Sequence, residues 1–171
     1  MQVTSQEAND LIIECLLRKM SLNKEKLSYI AGLIDGEGYI GMSKHSENRR
    51  NKQTYYYQIS IKVGMTNKLG PELLYKAFGG YLYHETRKAP KKNVWQWNLC
   101  GQKNVLPVLH KLLPYLIVKK KQAEKLIEYC ESRNYKNGQK VKWGETSYSV
   151  KENQIYTDIR MLNQKGIHAI S

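Results

Sequence analysis

The sequence predicts an α+β fold in the order α-ββ-α-ββ-α-α, built on a four-stranded antiparallel sheet and preceded by an extra N-terminal helix. Three observations carry this expectation. Residues 28–40 read as an apolar helix that ends among glycines. Two pairs of segments, within 39–65 and 81–99, alternate apolar and polar residues as half-buried strands do. Apolar residues at helical spacing then fill most of the chain beyond residue 103. A length of 171 residues suits one domain, assigned to 24–171, with 1–23 as a helical extension.

In the extension, Leu11, Ile12, Cys15, Leu16 and Met20 form an apolar stripe, with Thr4 or Ser5 as cap and residues 21–23 as the end. It reads as a helix packed on the core. In the next helix, Gly32 and Gly36 lie four apart and share one face. A face without side chains lets another backbone approach. Past Gly38 the period becomes two. Ile40 and Met42 face one way, and Tyr39, Gly41, Ser43 and His45 the other. Residues 46–54 are polar and basic and read as a hairpin loop. In 55–65, Ile59, Ile61, Val63 and Met65 oppose Gln58, Ser60, Lys62 and Gly64.

Residues 67–78 read as a helix with Pro71 in its first turn and Gly79-Gly80 as its stop. A second hairpin follows, with strands 81–87 and 94–99 around a basic loop at 88–93. Leu82, Trp95, Trp97 and Leu99 face inward, and Tyr83, Glu85, Arg87, Gln96 and Asn98 outward. Helices at 103–113, 118–132 and 149–163 complete the chain, with Pro114 interrupting the first and a polar surface loop at 134–146.

Lys and Arg outnumber Asp and Glu 28 to 15, a formal charge of +13, which calls for a polyanionic partner such as nucleic acid. The excess is concentrated: residues 44–103 hold twelve Lys and Arg against three Glu. Amide, hydroxyl and ammonium groups on the outward strand faces are the groups that read base edges and phosphates in a major groove. Tyr55, Tyr56 and Tyr57 are candidates for base stacking, although packing across strands accounts for them as well. Cys15, Cys100 and Cys130 show no paired spacing, so neither a zinc site nor a disulfide framework is expected. The four histidines are scattered, which excludes a histidine-based nuclease motif. No apolar run spans a membrane and the acidic N-terminus is no signal peptide, so a soluble intracellular protein is expected, its compartment open.

Residues 30–38 read IAGLIDGEG. This resembles the signature of the LAGLIDADG homing endonucleases, with Ile in first position and Gly-Glu in place of Ala-Asp. The likeness extends over about 27–133 and contains one motif. A single motif implies a homodimer through the motif helix, which points to Ile30, Gly32, Leu33 and Gly36 as interface. The family fold sets a saddle of strands astride DNA above two packed motif helices, matching the element order found above.

The resemblance implies site-specific double-strand cleavage of a long pseudo-palindromic DNA target by an intron-encoded protein. It places Mg²⁺ on Glu37, with the Gly36 carbonyl as second ligand; Mn²⁺ can substitute and Ca²⁺ binds without cleavage. Carboxylates suit such hard cations. Asp35, two residues earlier, cannot share that face of the helix and is assigned hydrogen bonding at the helix interface. The 114–123 stretch aligns Lys119 with the family's lysine near the scissile phosphate, with Lys120 and Lys121 as rivals. Asn67, at the end of the second strand, stands where the family often has Gln to position water, and Lys68 is its neighbour. The base-reading set is Ser43, His45, Gln58, Ser60, Lys62, Tyr83, Glu85, Arg87, Gln96 and Asn98, with Arg49, Arg50, Lys88, Lys91 and Lys92 on the phosphates. The alternatives are a maturase that binds its intron RNA and a non-catalytic DNA-binding module of the same fold.

Overall fold

A computed structural model describes residues 22–49, 52–134 and 148–164. The predicted N-terminal helix, Arg50 and the 134–146 loop beyond Asn134 lie outside them. Helix α1 (Lys24–Glu37) opens at Asn23, whose side-chain oxygen accepts the Lys26 backbone N–H at 3.0 Å. Ile30, Ala31 and Ile34 turn inward and are buried. The helix runs directly into strand β1 (Gly38–Arg49). Only glycine fits that corner: a Cβ at Gly38 would stand 2.6 Å from the Ile34 carbonyl oxygen and 2.9 Å from its Cα.

Strand β1 pairs antiparallel with β2 (Lys52–Met65) from Gly38↔Val63 to Arg49↔Lys52. The predicted 46–54 loop is therefore mostly paired strand. Its ladder rests on backbone hydrogen bonds, which leave no apolar alternation in the sequence to reveal them. Helix α2 (Leu69–Phe78) follows, and the Asn67 side chain accepts the Leu69 N–H at 2.9 Å. It stops at Gly79 and Gly80, both with positive φ, as expected. A Cβ at Gly80 would also meet the Asn98 carbonyl oxygen at 2.7 Å. Strands β3 (Tyr81–Glu85) and β4 (Val94–Cys100) complete an antiparallel sheet in the order β1-β2-β4-β3. Strand β3 ends two residues short of its predicted limit, because the Arg87 N–H turns to the Asn93 side chain at 2.9 Å.

Three helices cover one face of this sheet: α3 (Gln102–Leu112), α4 (Lys120–Asn134) and α5 (Val150–Leu162). Helix α5 begins with a reciprocal capping box between Ser149 and Glu152. One core joins the layers: Ile40, Ile61, Val63, Trp97 and Leu99 from the sheet meet Ile30 and Ile34 of α1, Leu109 and Leu112 of α3, Leu126 of α4 and Ile159 of α5. Tyr57 secures the far end. Its hydroxyl donates to the Asn153 side-chain oxygen at 2.6 Å, and its backbone N–H donates to the Tyr148 hydroxyl at 3.1 Å. Nearby, Arg133 pairs with buried Glu152 at 3.0 Å, which compensates a charge that would be costly alone.

Candidate active site and nucleic-acid interface

The last turn of α1 delivers two carboxylates to different surroundings. Asp35 turns toward the chain entering α4. One of its oxygens accepts the backbone N–H groups of Ile117 at 2.8 Å and Val118 at 3.2 Å, and the other accepts that of Lys119 at 2.8 Å. The N–H groups ahead of a helix lack intrahelical partners, and a carboxylate is their strongest acceptor. Asp35 is thus spent on hydrogen bonds within the chain, where the end of α1 meets the entry to α4. Glu37, two residues on, faces solvent.

Lys119 closes the junction from the other side. Its ammonium donates to the Asp35 backbone carbonyl, tying the start of α4 to the end of α1. Loss of water around this half-buried side chain lowers its proton affinity, while the negative charges of Asp35 and Glu37 oppose that shift. Lys120 and Lys121 are exposed. Of the three rival lysines, Lys119 is the one whose charge is placed by contact with the motif helix and senses Glu37.

The register assembles the opposite face of the sheet from Tyr39, Gly41, Ser43, His45, Tyr56, Gln58, Lys62, Tyr83, Glu85, Gln96 and Asn98. Ser43 Oγ lies 2.9 Å from His45 Nε2, and the His45 ring stacks on exposed Tyr56 with centroids 5.3 Å apart. Tyr55 and Tyr57 instead point to the helical side and pack with Tyr148, so packing accounts for these two. Lys62 is exposed on the sheet face, and Lys88, Lys91 and Lys92 are exposed in the β3–β4 loop.

Four expected site residues stand in surroundings that the sequence did not show. Ser60 has the right strand parity, yet only 2% of it is accessible. Its short side chain lies low at the sheet centre, where the Tyr39 hydroxyl leans over Gly41 opposite. Ile30 is fully buried in the chain's own core and offers no interface surface. The Asn67 side-chain oxygen folds back onto the Leu69 N–H in a local turn just before α2, whose first cap position is Lys68. Glu85 is held by Arg87 and Gln96 within the protein.

The open face of α1 carries Gly32, Gly36 and, unanticipated, Tyr29 at 62% exposure. A Cβ added at Gly32 or Gly36 meets nothing within 4 Å. Ile117 and Val118 were also not singled out as a surface, and they are 85% and 69% exposed beside the Asp35 junction. The available signal was this consecutive apolar pair between Pro114 and the lysines at 119–121. Among the described residues, no helix is long and apolar enough to cross a membrane, and no three His, Cys, Asp or Glu side chains come together as a metal cluster.

The family model of the LAGLIDADG endonucleases matches residues 30–131. Among solved structures, the chain is similar to the homing endonuclease I-CvuI bound to the I-CreI target in the presence of Mg, with a TM-score of 0.58, 18% identity, and coverage of 86% of this chain and 87% of that one. It is similar to the archaeal intron-encoded homing endonuclease I-Vdi141I complexed with DNA, with a TM-score of 0.60, 18% identity and coverage of 86% and 89%. The group I intron-encoded I-CeuI, also complexed with DNA, gives 0.56, 17%, 94% and 80%. At such identities these likenesses show the fold. No curated protein sequence matches the chain.

Proposed function

Because the chain belongs to the LAGLIDADG endonuclease family, we propose that it is a site-specific, divalent-metal-dependent DNA endonuclease that cuts both strands of a long pseudo-palindromic target as a homodimer. The observation that carries this reading is the junction at the end of α1, where Glu37 stands open and Lys119 is fixed beside it by Asp35. A degenerate binding module has no need of that arrangement.

The donor set fits Mg²⁺. Glu37 contributes hard carboxylate oxygens, and the Gly36 carbonyl lies in the last helical turn, where carbonyls lack intrahelical partners. One such set per chain is sparse for an all-protein cage, but Mg²⁺ keeps waters and takes phosphate oxygens. Glu37 from each of two protomers would share the load. When bound, the metal supplies a more acidic water and neutralises charge on the phosphate. The chain's own residues do the rest. Lys119 presents a cation, held by Asp35, to the charge that develops on the scissile phosphate. The sheet face and the basic β3–β4 loop orient the duplex, and the small face of α1 meets the second copy.

Incubation with a randomised duplex library tests the proposal. One enriched site cut in Mg²⁺ and left intact in Ca²⁺ is expected. Specific binding without cutting in Mg²⁺ or Mn²⁺ would instead indicate a binding module, and affinity confined to structured RNA a maturase.

A further inference from the structure

We propose that Glu85 and Gln96 form a clamp that pre-orients the Arg87 guanidinium to read one guanine in each half of the DNA target. The inference rests on the DNA-reading function proposed above and assigns a residue to a base.

The clamp is built from side chains already in contact. Arg87 Nε donates to one Glu85 oxygen at 3.0 Å, and Arg87 Nη2 donates to the other at 3.0 Å. Gln96 Nε2 donates to Glu85 at 2.9 Å from the neighbouring strand. Gly64, opposite Gln96 in the register, makes the room: a Cβ there would lie 2.8 Å from the Gln96 amide oxygen. Below the guanidinium, the Arg87 backbone is fixed by Asn93 at 2.9 Å. The hydrogen bonds from Arg87 and Gln96 hold the Glu85 carboxyl below the usual range, so it stays ionised and keeps accepting.

A guanidinium has five N–H donors. Glu85 engages the Nε edge and one hydrogen of Nη2, which leaves the end-on pair on Nη1 and Nη2 unspent by the clamp. That pair matches the O6 and N7 acceptors of guanine in the major groove. A free arginine loses side-chain freedom when it binds, whereas a clamped one has lost much of it beforehand. Glu85 is therefore a positioning residue and does not itself read cytosine, although its carboxylate could do so if it were free.

The test is a base-by-base binding profile in Ca²⁺ on the duplex that the wild-type protein selects. Arg87→Ala should reduce discrimination at one G·C pair in each half-site about tenfold, the size of one bidentate contact. Glu85→Gln should weaken discrimination at that same pair by about threefold or more, since Gln can donate where only acceptors fit. Other positions should be unmoved, and the double variant should equal Arg87→Ala alone. A Glu85→Gln profile that changes at a different base pair, or not at all, overturns the clamp. So does an Arg87→Ala variant weakened equally on every sequence. A wild-type protein without any preferred sequence fails the functional proposal itself, which separates the two.

Discussion

Asp35 and Glu37 are neighbours of the same chemistry with opposite employment, and the helix period is the reason. Asp35 receives three backbone N–H groups at the entry to α4 and supports Lys119, while Glu37 is left in the open. Asp35→Asn turns one acceptor into a donor facing donors, so it should destabilise the fold by about 2–3 kcal/mol and lower cleavage through a displaced Lys119. Chemical denaturation and cleavage assays check both. An Asp35→Asn protein of unchanged stability would show that the three hydrogen bonds contribute little. Buried thiol and phenol groups set the alkaline limit, and burial pushes the Tyr129 hydroxyl up as well. Burial is the largest cause that pushes the Cys130 thiol from 9.0 to about 12 and the Tyr57 hydroxyl from 10.0 to about 12. Both stay protonated in the fold after their unfolded counterparts begin to ionise. Stability should therefore hold below about pH 9 and fall as pH rises toward about 12. Cys130→Ala should soften that fall in denaturation measured at about pH 8 and about pH 10.5. Equal losses in both proteins would contradict the assignment.

Helix α1 shows what a single element does with two faces. Ile30, Ala31 and Ile34 hold it to the core, and Tyr29, Gly32 and Gly36 are left facing outward. Gly38→Ala would drive a Cβ into the Ile34 backbone, so a loss of about 2–3 kcal/mol is expected in thermal or denaturant unfolding. Gly32→Leu meets open space in the single chain, so the protomer should fold as before. Strand and helix periods were legible because the core is on one side: Ile59, Ile61 and Val63, or Val105 and Leu109, declare their face by type. The paired stretch Glu47↔Thr54 to Arg49↔Lys52 was not legible, since a ladder of backbone bonds has no composition. Ile30 and Gly32 show the same limit. A motif names both, but only packing tells which one stays outside.

At the scale of the whole molecule, the proposal joins two copies through the α1 face under a continuous basic saddle. Gly32→Leu should then shift the protein from dimer to monomer in sedimentation, with protomer secondary structure retained. A variant that remains dimeric would remove α1 from the interface. Replacing Lys91 by Ala should reduce the salt slope of DNA binding by about one, uniformly across sequences. The candidate site was marked in the sequence by the motif and the polar strand faces. The details that were not legible are short range and three-dimensional: the sinking of Ser60, the local turn of Asn67 onto Leu69 and the tying of Glu85 to Arg87 each depend on neighbours brought together by the sheet or by a turn. The most direct test of the central claim is single-turnover cleavage of the selected target in Mg²⁺ by the wild type, Glu37→Gln and Lys119→Met, with binding measured in parallel in Ca²⁺. The expected result is no detectable cutting by Glu37→Gln, a rate lower by about 10²–10³ for Lys119→Met, and specific binding retained in both. Cleavage by Glu37→Gln at the wild-type rate would contradict the account.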